Sequence, residues 1–133
     1  MKQEHEDIAR KMQYILNMRP VFNKEALFSD GTRYYRNPTE PKSGEKVIIS
    51  FRTQKNNVDA VYLVSGDQKY KMKVYKTTKG FDYYGTKIVM PEEIFRYHFE
   101  IQYGWATCYY TEQGVCSELQ EWAQFEIYPN YHT

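Results

Sequence analysis

Between Lys46 and Arg52 apolar residues fall at every second position, with Val47, Ile49 and Phe51 on one side and Ile48, Ser50 and Arg52 on the other. A period of two is the mark of a strand that buries one face. Phe95 to Ile101 shows it again: Phe95, Tyr97, Phe99 and Ile101 point one way, Arg96, His98, Glu100 and Gln102 the other. That is the pattern of a sandwich strand with one wet face. Further strands are predicted over Val58 to Val64, Tyr70 to Tyr75, Phe81 to Val89, Trp105 to Tyr110 and Gln124 to Tyr128, with short ones at Glu25 to Phe28 and Tyr34 to Arg36. Turn chemistry separates them at Ser29-Asp30-Gly31, across the Pro- and Gly-bearing stretch Asn37 to Gly44, and at Lys55-Asn56-Asn57, Gly66-Asp67 and Lys79-Gly80. Two helical signals interrupt this grammar. Ile8, Met12, Ile15 and Leu16 lie at helical spacing within Lys2 to Met18, and Pro20 stops that run. Ser117 with Gln120 three residues on reads as a capping box for a short helix through Trp122.

The expected fold is therefore all-β: an immunoglobulin-like β-sandwich of about seven or eight antiparallel strands with an N-terminal helical extension. Residues 1–20 form the extension and 21–133 the sandwich, with no linker dividing the second part.

Charge narrows the partners. Eighteen basic residues face seventeen acidic ones, so neither nucleic acid nor an anionic membrane is expected as a ligand. No run approaches the roughly 18 apolar residues of a membrane span. The first twenty residues lack the apolar core of a secretory signal, which makes the cytoplasm the expected compartment. Cys108 and Cys116 are then read as reduced thiols. His5, His98 and His132 show no zinc spacing, and no metal or other cofactor is expected.

The aromatic content changes the picture most. Fourteen tyrosines, seven phenylalanines and two tryptophans make up 17% of the chain. Tyr and Trp join a flat apolar face to a polar edge, which suits half-wet binding surfaces as well as cores.

A search for catalytic groups returns little. Glycoside hydrolysis needs two carboxyl groups flanking a bond. Glu92-Glu93 follows Pro91 in a turn, where solvent exposure explains the pair. Glu118 and Glu121 belong to the short-helix region, where the helix dipole accounts for Glu118. No phosphate loop, dinucleotide fingerprint or nucleophile elbow is present. His98 has no nucleophile to activate and reads as a surface histidine. The chain is not expected to be an enzyme.

Several segments taken in order carry a family resemblance: Ala26 to Thr32 leading to Tyr34 to Pro41, then Gly44 to Thr53 and Asn57 to Leu63, then Phe81 to Tyr84 and Phe95 to Ile101, and last Cys108 to Tyr110, Gly114-Val115 and Phe125 to Ile127. Over about residues 22 to 130 this order resembles the N-terminal domain of neopullulanase and cyclomaltodextrinase, enzymes of the α-amylase family. That domain is classed as a family 34 carbohydrate-binding module. The resemblance implies a non-catalytic module attached in cis to an α-amylase-type (β/α)8 barrel that would begin near Tyr131 to Thr133. It implies two roles: binding of α-1,4-glucans or cyclodextrins, and formation of a homodimer in which the module shapes the partner's active site. A third possibility is a structural domain that steadies the barrel and binds no sugar.

Sugar binding by such a module works by stacking glucose rings on exposed aromatic planes, with a few placed polar groups taking hydroxyls. Trp105 beside Gly104 is the first candidate platform, followed by Tyr103, Tyr34, Tyr35 and one of Tyr83 or Tyr84. Asn37, Lys55, Asn56 and Asp59 are candidate hydrogen-bonding groups. The resemblance adds Tyr70, in the segment Asp67 to Tyr70 that matches the loop approaching a partner subunit. Tyr97 and Phe99 are assigned to the core.

Overall fold

The computed structural model describes residues 21–130. The helix expected over 2–18, and with it the extension assigned to 1–20, lies outside the described residues. Ten strands follow in order: β1 (Arg36–Asn37), β2 (Lys46–Gln54), β3 (Ala60–Ser65), β4 (Gln68–Lys71), β5 (Lys73–Thr78), β6 (Phe81–Val89), β7 (Phe95–Tyr103), β8 (Ala106–Thr111), β9 (Gly114–Cys116) and β10 (Phe125–Ile127). They make two antiparallel sheets, one ordered β1-β2-β6-β5 and the other β4-β3-β7-β8-β9, with β10 paired to β7. The result is the immunoglobulin-like sandwich that the alternating segments require.

The two clearest sequence patterns supply the centre of each layer. Val47, Ile49 and Phe51 of β2 face Tyr97, Phe99 and Ile101 of β7, and all six are fully buried. Rings close the gap between layers. Phe51 lies 4.7 Å from Phe99 and 5.3 Å edge-on to Tyr110, and within the second layer Tyr97 stacks on its strand neighbour Phe125 at 5.1 Å. Interdigitating inner faces of this kind are what hold a sandwich together.

Four expectations change in detail. Glu25 to Phe28 is a 3-10 turn at Lys24–Ala26 followed by a single bridge between Phe28 and Arg52. Asn23 caps that turn through its side chain, which favours the turn over a ladder. The run Tyr70 to Tyr75 is two strands, because the chain changes sheet at Met72, whose side chain is buried between the layers. The helix expected after Ser117 is only a 3-10 turn at Glu121–Ala123, with Gln120 at the cap position and no side-chain cap bond. Six residues are too few to repay helix nucleation once Phe125 is drawn into the sheet. Finally, His98 is 5% exposed although it lies on the outer face of β7. The segment leading into β10 covers it, Gln124 Oε1 lying 2.8 Å from its Nδ1, with the Tyr109 ring 5.9 Å away.

The thiols illustrate how register decides chemistry. Tyr109 pairs with Cys116 across β8 and β9, so Cys116 shares the face of Tyr109 while the neighbouring Cys108 faces the opposite way. Both are free, and burial pushes the Cys108 thiol above its ordinary value. We expect iodoacetamide to label Cys116 in the native domain and Cys108 only after denaturation. Mass spectrometry of peptides from briefly treated protein checks this; equal labelling of both cysteines would contradict the burial of Cys108.

Candidate functional site

The outer face of the four-stranded sheet carries a concave groove of about 500 Å³. Its floor comes from the outward positions of β2 and β6, namely Ile48, Ser50 and Gly85. Two tyrosines stand over it. Tyr34, in the loop before β1, is 71% exposed and Tyr75, on the edge strand β5, is 54% exposed. Arg33 lies over the Tyr34 ring at 5.3 Å.

Tyr75 owes its position to an irregularity. The β5–β6 register shifts between Val74 and Lys76, leaving Tyr75 as the extra residue of a β-bulge. A bulge bends its strand and re-aims a side chain. Here the ring turns back across the sheet, and its hydroxyl reaches Ser50 Oγ at 3.3 Å. Gly85 makes room for it, since a Cβ there would sit 3.0 Å from Tyr75 Cδ1. Sequence reading missed Tyr75 because Met72 and the bulge each break the alternation that would have shown which way it faces. A glycine inside an otherwise regular strand was the available signal, since it marks close approach of another group.

The residues singled out from sequence fall into separate groups. Tyr34 and Asn37 line the groove. Tyr35 and Tyr83 lie on the same sheet face beside it. Tyr35 packs edge-on against Phe28 at 5.1 Å, and burial raises its hydroxyl above the ordinary tyrosine value. Tyr83 is 6.5 Å from Tyr75 and holds the Lys76 ammonium over its ring. Tyr84, the inward member of that pair, packs on the core, and so does Tyr70 at the edge of the other sheet.

A second group gathers at the end of the sandwich where the β2–β3 and β7–β8 turns meet. Lys55 is exposed there, and Asn56 takes a positive φ of 53° while its N–H donates to Asp82 Oδ2. Asp59 Oδ2 accepts from the Gly104 N–H, which ties the two turns together and holds out the fully exposed Trp105. Tyr103 is stacked by Phe22 at 4.9 Å, so one of its faces is already covered. Asn57 fastens Phe22 from behind, donating to Val21 O and accepting from Asn23 N.

Glu92 and Glu93 are exposed in the β6–β7 turn. Among the described residues no group of His, Cys, Asp and Glu is placed to hold a metal ion. No helix among them is long and apolar enough to cross a membrane. The outer face of the four-stranded sheet presents two open rings, Tyr34 and Tyr75, beside the exposed Asn37.

Fold and surface together define an immunoglobulin-like domain, and comparison with known proteins places it in a family. The family model described as the N-terminal Ig-like domain of alpha amylase matches residues 23–131, so the chain belongs to that family. Among solved structures, a cyclomaltodextrinase is similar over 77% of this chain and 19% of its own, with a TM-score of 0.66 and 24% identity. A maltogenic amylase from S. marinus is similar over 85% and 15%, with a TM-score of 0.67 and 14% identity. The type III pullulan hydrolase from Thermococcus kodakarensis follows at 76% and 16%, TM-score 0.50 and 15% identity. The chain thus spans about a fifth or less of the length of these relatives. No curated protein sequence matches it.

Proposed function

We infer that this domain is the α-glucan-binding, non-catalytic N-terminal module of an α-amylase-family glycoside hydrolase of the cyclomaltodextrinase type. One observation carries the reading: Tyr34 and Tyr75 open onto a groove whose floor is the flat outer surface of a sheet. Rings on either side of a shallow trough present apolar planes to the faces of glucose units, while the exposed Asn37 offers hydrogen bonds to hydroxyl groups. The two free thiols fit the reducing compartment expected of such an enzyme.

The test is a titration of the domain with maltoheptaose and β-cyclodextrin, followed by amide chemical shifts. Saturable shifts are expected around Tyr34, Tyr75 and Gly85. Alanine at Tyr34 or Tyr75 is expected to weaken binding by about three- to tenfold, the scale of one stacked ring. Gly85→Ala is expected to weaken it too, because the new methyl displaces the Tyr75 ring. Absence of any shift at millimolar sugar rejects the reading.

A second reading is favoured by a different feature. Trp105 and Val21 leave large apolar surfaces exposed outside the groove, the latter at 88%. That suits docking on the catalytic barrel, or on a partner in a homodimer, without any sugar. In that case Trp105→Ala alters association of the parent enzyme and leaves the sugar titration unchanged. If instead Trp105→Ala alone abolishes the titration, Trp105 is the platform.

A further inference from the structure

The near-zero net charge hides a strong separation. From residue 68 to residue 90 there are six lysines and a single acid, Asp82; from 91 to 130 there are seven acids and a single base, Arg96. The first stretch builds the edge running from β4 into β5 and all of β6, and the second builds β7 to β10. The one acid of the first stretch is buried and committed, accepting from the Asn56 N–H and from Thr77 Oγ1 at 2.6 Å. It does not line the groove.

The first stretch supplies Lys73, Tyr75, Gly85, Thr86 and Lys87 to the groove, and the rest of its lining comes from residues between 33 and 50. Arg33, Lys73 and Lys87 line it, no carboxylate does, and none of the three forms an ion pair among the described residues. By contrast Lys69 and Arg96, on the other sheet, are paired with Glu100 and Glu126. Three cations held around two open rings match a ligand with both a sugar face and a negative charge. Guanidinium and ammonium groups bind phosphate oxygens by charge-assisted hydrogen bonds, which are stronger than those to a neutral hydroxyl.

We propose that the groove selects α-glucan chains bearing an anionic ester, such as a phosphate on a glucose hydroxyl, over the neutral chain. Tyr34 and Tyr75 take the rings, and Arg33, Lys73 and Lys87 take the ester. The proposal rests on the groove being a glucan site, and the experiment separates the two ideas.

Calorimetric titrations of the 133-residue chain would compare maltoheptaose, maltoheptaose carrying a 6-phosphate ester, inorganic phosphate and poly-glutamate at low ionic strength. The phosphorylated heptaose is expected to bind about tenfold more tightly than the neutral one. The advantage should vanish near 1 M salt, where the screening length is about 3 Å. Lys73→Met with Lys87→Met should remove the advantage, so that the two heptaoses bind alike. Equal binding of the two heptaoses overturns the proposal and leaves the glucan site standing. Phosphate or poly-glutamate binding as tightly as the phosphorylated heptaose also overturns it, by showing a general anion surface. Binding of the phosphorylated sugar alone upholds it while rejecting affinity for the neutral chain. No binding of any sugar rejects both. A paired control, Lys42→Met with Lys79→Met in the turns before β2 and between β5 and β6, neither lining the groove, should leave the preference intact; loss of preference there would also overturn the proposal.

Discussion

Phe51→Ala is expected to cost about 3–5 kcal/mol of stability, the range for deleting a buried phenyl group from a packed core. Phe51 is fully buried at the middle of β2, with Phe99 at 4.7 Å and Tyr110 at 5.3 Å. It is the ring through which the four-stranded sheet touches the aromatic centre of the other layer. Neighbours on two sheets cannot collapse into the gap without moving whole strands, so the site relaxes poorly and the cavity persists. Against a total of about 5–15 kcal/mol for a typical domain, the loss takes a large part of the margin. Urea unfolding followed by near-ultraviolet circular dichroism would measure it. A loss under about 1 kcal/mol would mean that the layers do not meet at this ring.

The second large effect concerns the polar contact buried in the same core. Arg36, 9% exposed, donates from Nε at 3.0 Å and from a terminal nitrogen at 2.7 Å to the hydroxyl of the fully buried Tyr97. A phenol inside a sandwich has few ways to find a partner. Here β1 reaches over the open edge of β2 to supply one. Arg36→Leu leaves the hydroxyl without its donors, and Tyr97→Phe leaves a guanidinium without its acceptor. Each is expected to cost about 2–3 kcal/mol, the scale of an orphaned buried group. The double variant is expected to lose clearly less than the sum, because both single changes break one interaction. Additive losses in the same urea assay would show that the two residues act independently.

The same hydroxyl carries a pH signature. Burial raises Tyr97 above its ordinary value of 10.0, outweighing the opposing pull of Arg36, and burial likewise raises Tyr110. The folded state therefore keeps these protons where the unfolded chain has released them. Stability is fully present below pH 10 and falls as pH rises through the folded values. Tyr97→Phe should flatten that alkaline decline, which a series of melts across the range would show.

How much of this was legible in the sequence depends on whether a feature is periodic. The strand β6 was readable from the break at Lys79-Gly80 that precedes it, and β2 and β7 were readable to within two residues, because an alternating run has only one way to bury its apolar side. Tyr97 and Phe99 could be assigned to the core for the same reason. The family resemblance, carried by the order of several segments, agrees with the family match over residues 23–131. Where period fails, the reading failed with it. β9 is three residues long and carries no pattern. His98 alternates outward yet is covered, because the chain returns over it from β10, a contact 26 residues distant. Asp59 has the chemistry of a sugar ligand, but its carboxylate holds a turn 45 residues away.

The candidate site divides along the same line. Composition already marked this chain as rich in rings suited to half-wet surfaces, and turn chemistry placed Trp105 in the open, whereas Tyr34 was read into a short strand and lies in the loop before β1. Local sequence, through hydrophobic periodicity and turn residues, determined the sandwich, its core rings and the exposure of Trp105, because these follow from steric and solvation preferences acting within a few residues. Only the tertiary structure decided that Tyr34 and Tyr75 flank one groove, that Trp105 stands elsewhere, and that Lys73 and Lys87 line the former. Those facts depend on which strands become neighbours and on a one-residue bulge in β5. Both are settled by packing between segments far apart in the chain.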